Sequence, residues 1–242
     1  MISAAVRAPS EDAAAPLLAT DAVSRIFDDG AIVALSDVDF AVAPGEFVAV
    51  TGPSGSGKST LLQILAGIDV PSSGTVSWKG LPVVAETWPA LRRTTIGVVF
   101  QDYLLLPALT AFENVEIAMS GTGRSRAERR ARAEALLARV GLESRLRHLP
   151  HMLSGGERQR VAVARSIAND PEILLCDEPT GSLDSAGAAD IVELLLSLRR
   201  ERGMALVVVT HEQSLAARAE RVVSLRDGRI VADRRRTASA WA

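Results

Sequence analysis

The chain has 242 residues, 48% hydrophobic and 23% charged, with a formal net charge of −2; this is an ordinary globular composition, long enough to bury one sizeable core with or without a subdomain. That balance excludes the broad basic footprint of a nucleic-acid-binding surface, so no nucleic-acid partner is expected. The single cysteine, Cys176, excludes an internal disulfide framework, no apolar run approaches the ~20 residues needed to cross a bilayer, and the N-terminus lacks a charged-then-apolar signal pattern, so the expected compartment is the cytoplasm.

Residues 1–17 are rich in Ala and Pro without sustained periodicity and read as a disordered leader, leaving 18–242 as a single domain. Ala22 to Phe27 and Leu35 to Val42 read as strands, bounded by turns at Asp28-Asp29-Gly30 and Pro44-Gly45. A third apolar run, Glu46 to Thr51, leads into Gly52-Pro53-Ser54-Gly55-Ser56-Gly57-Lys58-Ser59-Thr60, and a helix-like run, Leu61 to Ala66, follows. Strand, Gly-x-x-x-x-Gly-Lys-Ser and helix together make a phosphate cradle. The glycines let the loop turn tightly with its N–H groups inward, and the helix N-terminus adds partial positive charge. Lys58 then reaches the β- and γ-phosphates and the Ser59 hydroxyl sits on Mg²⁺.

Further along, Ile96 to Phe100 is strand-like and ends at Gln101. Ser125-Arg126-Ala127-Glu128 is a capping box opening a helix whose Ala133, Leu136, Leu137 and Val140 share a face, with Gly141 as its stop. A second capping box, Ser154-Gly155-Gly156-Glu157, opens a helix through Val161, Val163, Ala164 and Ile167. Ile173 to Cys176 is a continuous apolar run, as in a parallel strand buried on both faces. A helix from about Ala186 to Arg202 stops at Gly203, Ala205 to Val209 is another buried strand, and Asp227-Gly228 turns a terminal hairpin. The Arg-rich stretches at Arg124 to Arg139 and Arg234 to Arg236 are interrupted or flanked by acids and read as solvated faces. Strands alternating with helices around a phosphate loop predict an α/β sheet, with the helical middle, about 102–160, inserted as a subdomain.

A magnesium–nucleotide site needs a second acid, and Asp177 ends a buried strand where its carboxylate can hold the metal opposite Ser59. Glu178 follows directly and points elsewhere, towards the γ-phosphate, where it can act as the general base for the attacking water.

Leu153-Ser154-Gly155-Gly156-Glu157-Arg158-Gln159-Arg160 resembles the signature motif of the ATP-binding cassette (ABC) ATPases, and it lies between the phosphate loop and Asp177-Glu178 in that family's order. Gln101 resembles the family's Q-loop glutamine, Ser182-Leu183-Asp184 its D-loop and His211 its switch histidine, while Phe27 takes the place of the aromatic that stacks on adenine. The resemblance implies a P-loop NTPase fold with an ABC-type core sheet, an N-terminal antiparallel β subdomain and an inserted α-helical signature subdomain. It implies ATP and Mg²⁺ as cofactors, with Phe27, Gly52, Ser54, Gly55, Ser56, Gly57, Lys58, Ser59, Thr60, Ser154, Gly155, Gly156 and Asp184 on the nucleotide. Ser59, Gln101 and Asp177 are implied at the metal, and Glu178, His211 and Gln101 in catalysis.

The family's two cassettes face head to tail, so Ser154 and the Gly155 and Gly156 amides complete the partner copy's site, closing on the γ-phosphate and opening after hydrolysis. With 96 positions from Lys58 to Ser154 there is no room for the long coiled-coil insertions of the chromosome-maintenance and DNA-repair members. With no membrane segment of its own, such a cassette implies a separate permease, placing the chain on the cytoplasmic face of the membrane. The runs Gln101 to Pro107, Thr110 to Val115 and Asp177 to Asp184 resemble the lipoprotein-releasing and macrolide-exporting group. The alternative is the cell-division ABC ATPase, which regulates through a permease-like partner without moving solute. Its signature reads Glu-Gln-Gln-Arg where this chain has Glu157-Arg158-Gln159-Arg160.

Overall fold

The computed structural model describes residues 15–27 and 30–236. Most of the leader, and the Asp28-Asp29 part of the first expected turn, lie outside the described residues. Leu17, placed at the leader's end, is buried: its N–H donates to Val42 O and its carbonyl accepts from Lys79 N–H.

Strands β1 (Leu18–Phe27), β2 (Ile32–Val42), β4 (Ser73–Trp78) and β5 (Leu81–Pro82) form an antiparallel sheet in the order β2-β1-β4-β5. The second sheet takes β3 (Phe47–Thr51), β6 (Ile96–Val99), β7 (Ile173–Asp177), β8 (Ala205–Val209), β9 (Arg221–Arg226) and β10 (Arg229–Arg235) in the order β10-β9-β3-β8-β7-β6. Its pairs are parallel except the β9–β10 hairpin.

The apolar runs that predicted β3, β7 and β8 are continuous because both faces of these strands are covered. Successive side chains alternate between two cores. Phe47, Ala49, Leu174, Cys176, Leu206 and Val208 face one, while Val48, Val50, Ile173, Leu175, Val207 and Val209 face the other. Cys176 is a free, fully buried thiol whose pKa burial pushes up, consistent with an inert core residue. The first core is closed by α3 (Ala111–Glu116), α4 (Arg126–Arg139), α5 (Gly155–Ser166) and α6 (Ser185–Arg202). The second is closed by α1 (Lys58–Leu65) and the antiparallel sheet.

Both expected capping boxes are formed, with the Ser125 and Ser154 hydroxyls each accepting from the amide three residues on and the serine N–H donating to that residue's glutamate carboxylate. Gly203, at φ 64, stops α6 as expected. Helices α3, α4 and α5 all lie between β6 and β7, and α5 runs past residue 160 to Ser166 without a break. Three of the arginines around α4 are paired rather than merely solvated: Arg124 and Arg132 meet Asp170, and Arg139 meets Glu201 on α6. Helix α2 (Trp88–Thr94) and the short α7 (Gln213–Ala216) complete the fold.

Candidate active site

Parallel strands bring their carboxyl ends to one edge, and every strand-borne motif of the core sheet sits there. The pairing register places Val50 of β3 beside Val209 of β8, and Val209 beside Asp177 of β7. The phosphate loop after β3, Asp177-Glu178 at the end of β7, Thr210-His211 after β8 and Gln101 after β6 therefore share one rim.

In the loop, Gly57 at φ 98 is the N-cap of α1 and offers no side-chain acceptor, and no acid occupies the first turn. The first amides of this helix are left for an anion. Any side chain at Gly57 would meet Ala34 O at 2.3 Å, and one at Gly52 would meet Leu225 O at 2.2 Å, so the close turn depends on both glycines. Lys58 Nζ donates to Gly52 O at 3.0 Å and to Pro53 O at 2.8 Å, which holds the ammonium under the loop. Ser56 Oγ is buried with no hydrogen-bond partner, a polar atom left over inside the cradle. Ser54, Gly55 and Thr60 complete the loop and its helix start. The free helix amides, the buried ammonium and the spare hydroxyl fit a polyphosphate.

Ser59 Oγ donates to Asp177 Oδ1 at 3.0 Å, so two of the three residues expected at the metal are in contact. Burial raises the Asp177 carboxyl above its ordinary value, with Glu178 adding to this and the Ser59 bond and Lys58 opposing it. Among the described residues there is no cluster of three or more His, Cys, Asp or Glu able to hold a metal. One hydroxyl and one carboxylate suit Mg²⁺, which takes few protein ligands and completes its shell with water and phosphate oxygen.

Glu178 adopts φ 44, an uncommon conformation for a side chain with a Cβ, and its N–H donates to Val209 O at 3.0 Å. This turn sends its carboxylate away from Asp177 to His211, whose Nδ1 lies 2.9 Å from Glu178 Oε2.

The structure brings together some of the sequence-expected residues and not others. Lys58, Ser59, Asp177, Glu178 and His211 are brought together. Gln101 is exposed on the same rim, and no hydrogen bond joins it to Ser59 or Asp177; a side chain at Gly181 would come within 3.3 Å of its Nε2. Ser154 and Gly155 lie by Tyr103 and Leu183, and no hydrogen bond links them to the phosphate loop; Gly156 has open space before it. Asp184 caps α6 by accepting from Gly187 N–H at 2.8 Å. Phe27 ends β1 partly buried, with the Arg25 guanidinium 4.3 Å from its ring centroid.

Two contributors were not read from the sequence. Gln159, wholly buried on α5, donates from Nε2 to Pro179 O at 2.8 Å, tying the signature helix to the turn that follows Glu178. Its signal was present, because it shares the apolar stripe with Val163 and Ile167. Tyr103 reaches Ser182 at 2.8 Å, and no spacing rule connects them.

The ABC transporter family pattern matches residues 35–181. The chain belongs to the ABC transporter family. This ABC cassette is 47% identical over 217 residues to the lipoprotein-releasing system ATP-binding protein LolD of Idiomarina loihiensis, covering 88% of this chain and 95% of that protein. It is 47% identical over 225 residues to the macrolide export ATP-binding/permease protein MacB of Sodalis glossinidius, covering 91% of this chain but 34% of that protein. The chain thus spans about a third of the length of the macrolide-export relatives it matches. The dimeric, post-hydrolysis ATP-binding cassette MJ0796 bound to ADP and Pi shares its fold at a TM-score of 0.83 and 40% identity, over 90% of this chain and 98% of that one. The chain is an ABC-type ATPase, and ATP is its nucleotide. Among the described residues no helix is long and apolar enough to cross a membrane.

Proposed function

We propose that this cassette pairs with a second copy around two ATP molecules and drives a separate membrane permease from the cytoplasmic face, in a system that extrudes lipoproteins or small amphipathic compounds. The observation that carries this reading is the single rim on which Ser59 meets Asp177 at 3.0 Å and Glu178 meets His211 at 2.9 Å. The names of its relatives, a lipoprotein-releasing ATP-binding protein and macrolide exporters, favour extrusion over the cell-division alternative.

In this reading Lys58 and the α1 amides bind the β- and γ-phosphates, Phe27 stacks on adenine, and Ser59, Asp177 and Gln101 hold Mg²⁺. Held there, Mg²⁺ would supply charge neutralisation for the phosphates. Glu178 accepts the proton of the attacking water, and His211 keeps that carboxylate aimed and contacts the γ-phosphate. Ser154, Gly155, Gly156 and Asp184 act across the dimer on the partner copy's nucleotide. The site then exists complete only when two cassettes close, and loss of the γ-phosphate releases them.

The test is Glu178→Gln. The variant keeps its ATP affinity, loses roughly 10²–10⁴-fold in turnover as expected for removal of a general base, and accumulates as a dimer with ATP on size-exclusion chromatography. Normal turnover, or no ATP-dependent dimer, refutes the assignment. With ATP, the same tagged variant retains its permease from detergent-solubilised membranes; recovery of cell-division proteins instead makes the regulatory reading the better one.

A further inference from the structure

Tyr103 stands where three functional segments meet, and no motif gives it a task. It follows Gln101 by two positions, and both it and Leu104 are left-handed, with φ of 60 and 45, a pair of conformations side chains rarely adopt. Arg165, in the last turn of α5, holds this bend by donating to Tyr103 O at 2.9 Å and Leu104 O at 2.6 Å. The phenol so placed lies 2.8 Å from Ser182 Oγ. Ser182 has one proton, and the Gln101 carbonyl lies 3.4 Å away to take it. With its own proton so directed, the Ser182 oxygen can accept a hydrogen bond from the phenol. A side chain at Gly155 would come within 3.3 Å of the same phenolic oxygen, and the Arg158 guanidinium lies 5.3 Å from the ring centroid. One hydroxyl therefore joins the segment after Gln101 to the Ser182–Asp184 loop, beside the start of the signature helix.

We propose that Tyr103 is a positioning residue whose hydroxyl sets Ser182, and with it the loop leading to Asp184, relative to Gln101 and the signature. This deepens the reading given under Proposed function and rests on it, because Ser154 and Asp184 matter to hydrolysis only if they serve a paired cassette. Arg165 fixes the Tyr103 backbone to α5, so a shift of the helical insertion carries the phenol, and the phenol carries Ser182. A ring that merely packed would need no hydroxyl.

The experiment compares Tyr103→Phe, Ser182→Ala and the double variant in the full chain with ATP and Mg²⁺. Tyr103→Phe keeps the ring, so the fold and the KM for ATP stay unchanged while kcat falls about fivefold, the worth of one hydrogen bond. Ser182→Ala falls equally, and the double variant falls no further than either single. Without nucleotide, hydrogen exchange at the amides of residues 181–184 quickens in Tyr103→Phe, while those of α1 are unaffected. An unchanged kcat in Tyr103→Phe, additive losses in the double variant or unchanged exchange overturns the proposal. If the wild-type chain fails to hydrolyse ATP, the parent reading falls instead, and the exchange comparison still decides whether the phenol holds the loop.

Discussion

Replacing Ser154 with alanine separates capping a helix from contacting a phosphate, because Ser125 supplies a matched control. The hydroxyl accepts from the Glu157 amide at 3.2 Å in one box and from the Glu128 amide at 3.3 Å in the other, and the glutamates return bonds to the serine N–H groups at 2.8 and 2.7 Å. Both serines are exposed, so neither substitution leaves a cavity. Each removes one N-cap acceptor, about 1 kcal/mol, which in a domain of this size lowers Tm by about 2–4 °C. Stability alone therefore cannot tell the two variants apart.

Function can, because α4 carries no motif residue whereas α5 opens with Ser154-Gly155-Gly156. Losing a hydrogen bond to a charged phosphate costs about 1.5–3 kcal/mol, so Ser154→Ala weakens ATP-dependent dimerisation roughly ten- to hundredfold per site. The assay is dimer formation against protein concentration in the Glu178→Gln background, by analytical ultracentrifugation, beside melting curves of both variants. Equal melting losses with a dimerisation defect in Ser154→Ala alone support the composite site. Equal impairment of dimerisation in the two would mean the helix cap is all that Ser154 provides, and the head-to-tail arrangement would lose its main chemical support.

Lys58→Ala removes the cation held between Gly52 O and Pro53 O; nucleotide titration of the variant should show most ATP affinity gone, and near-normal binding would contradict the cradle. Asp177→Asn has two opposed effects. Burial raises this carboxyl above its unfolded value, so the ionised group costs folding energy. Stability is full below the ordinary carboxylate pKa and declines as pH rises through the interval up to the raised one. Asparagine can still accept from Ser59, so the variant melts higher than wild type at neutral pH without metal, the gap closes on acidification, and Mg²⁺-dependent hydrolysis falls. A variant that melts lower at neutral pH shows that the carboxylate is not strained by burial.

How much could be read in advance depended on what each residue touches. Strands β3, β7 and β8 were legible because burial on both faces leaves only apolar residues to choose from, and Ser125, Ser154 and Gly203 because caps are local chemistry. Residues 73–94 were not legible: β4 buries only Val76 and α2 only Leu91, too little to impose a period. Helix α3 carried a readable capping box, Thr110 with Glu113, that went unread because its apolar run spans barely a turn and a half. At the site, Lys58, Ser59, Asp177 and Glu178 were legible because they act on a ligand of fixed charge and geometry, which restricts both residue type and spacing. Gln159 and Tyr103 act on other parts of the protein, the Pro179 carbonyl and the Ser182 hydroxyl, at separations of 20 and 79 residues. Their partners are set by how α5 packs against β6 and α6 and how Arg165 bends the chain after Gln101, and neither constraint leaves a pattern in sequence. The sequence thus names the groups that meet the nucleotide, whereas the groups that meet those groups, and transmit motion among them, become visible only once register and packing are known.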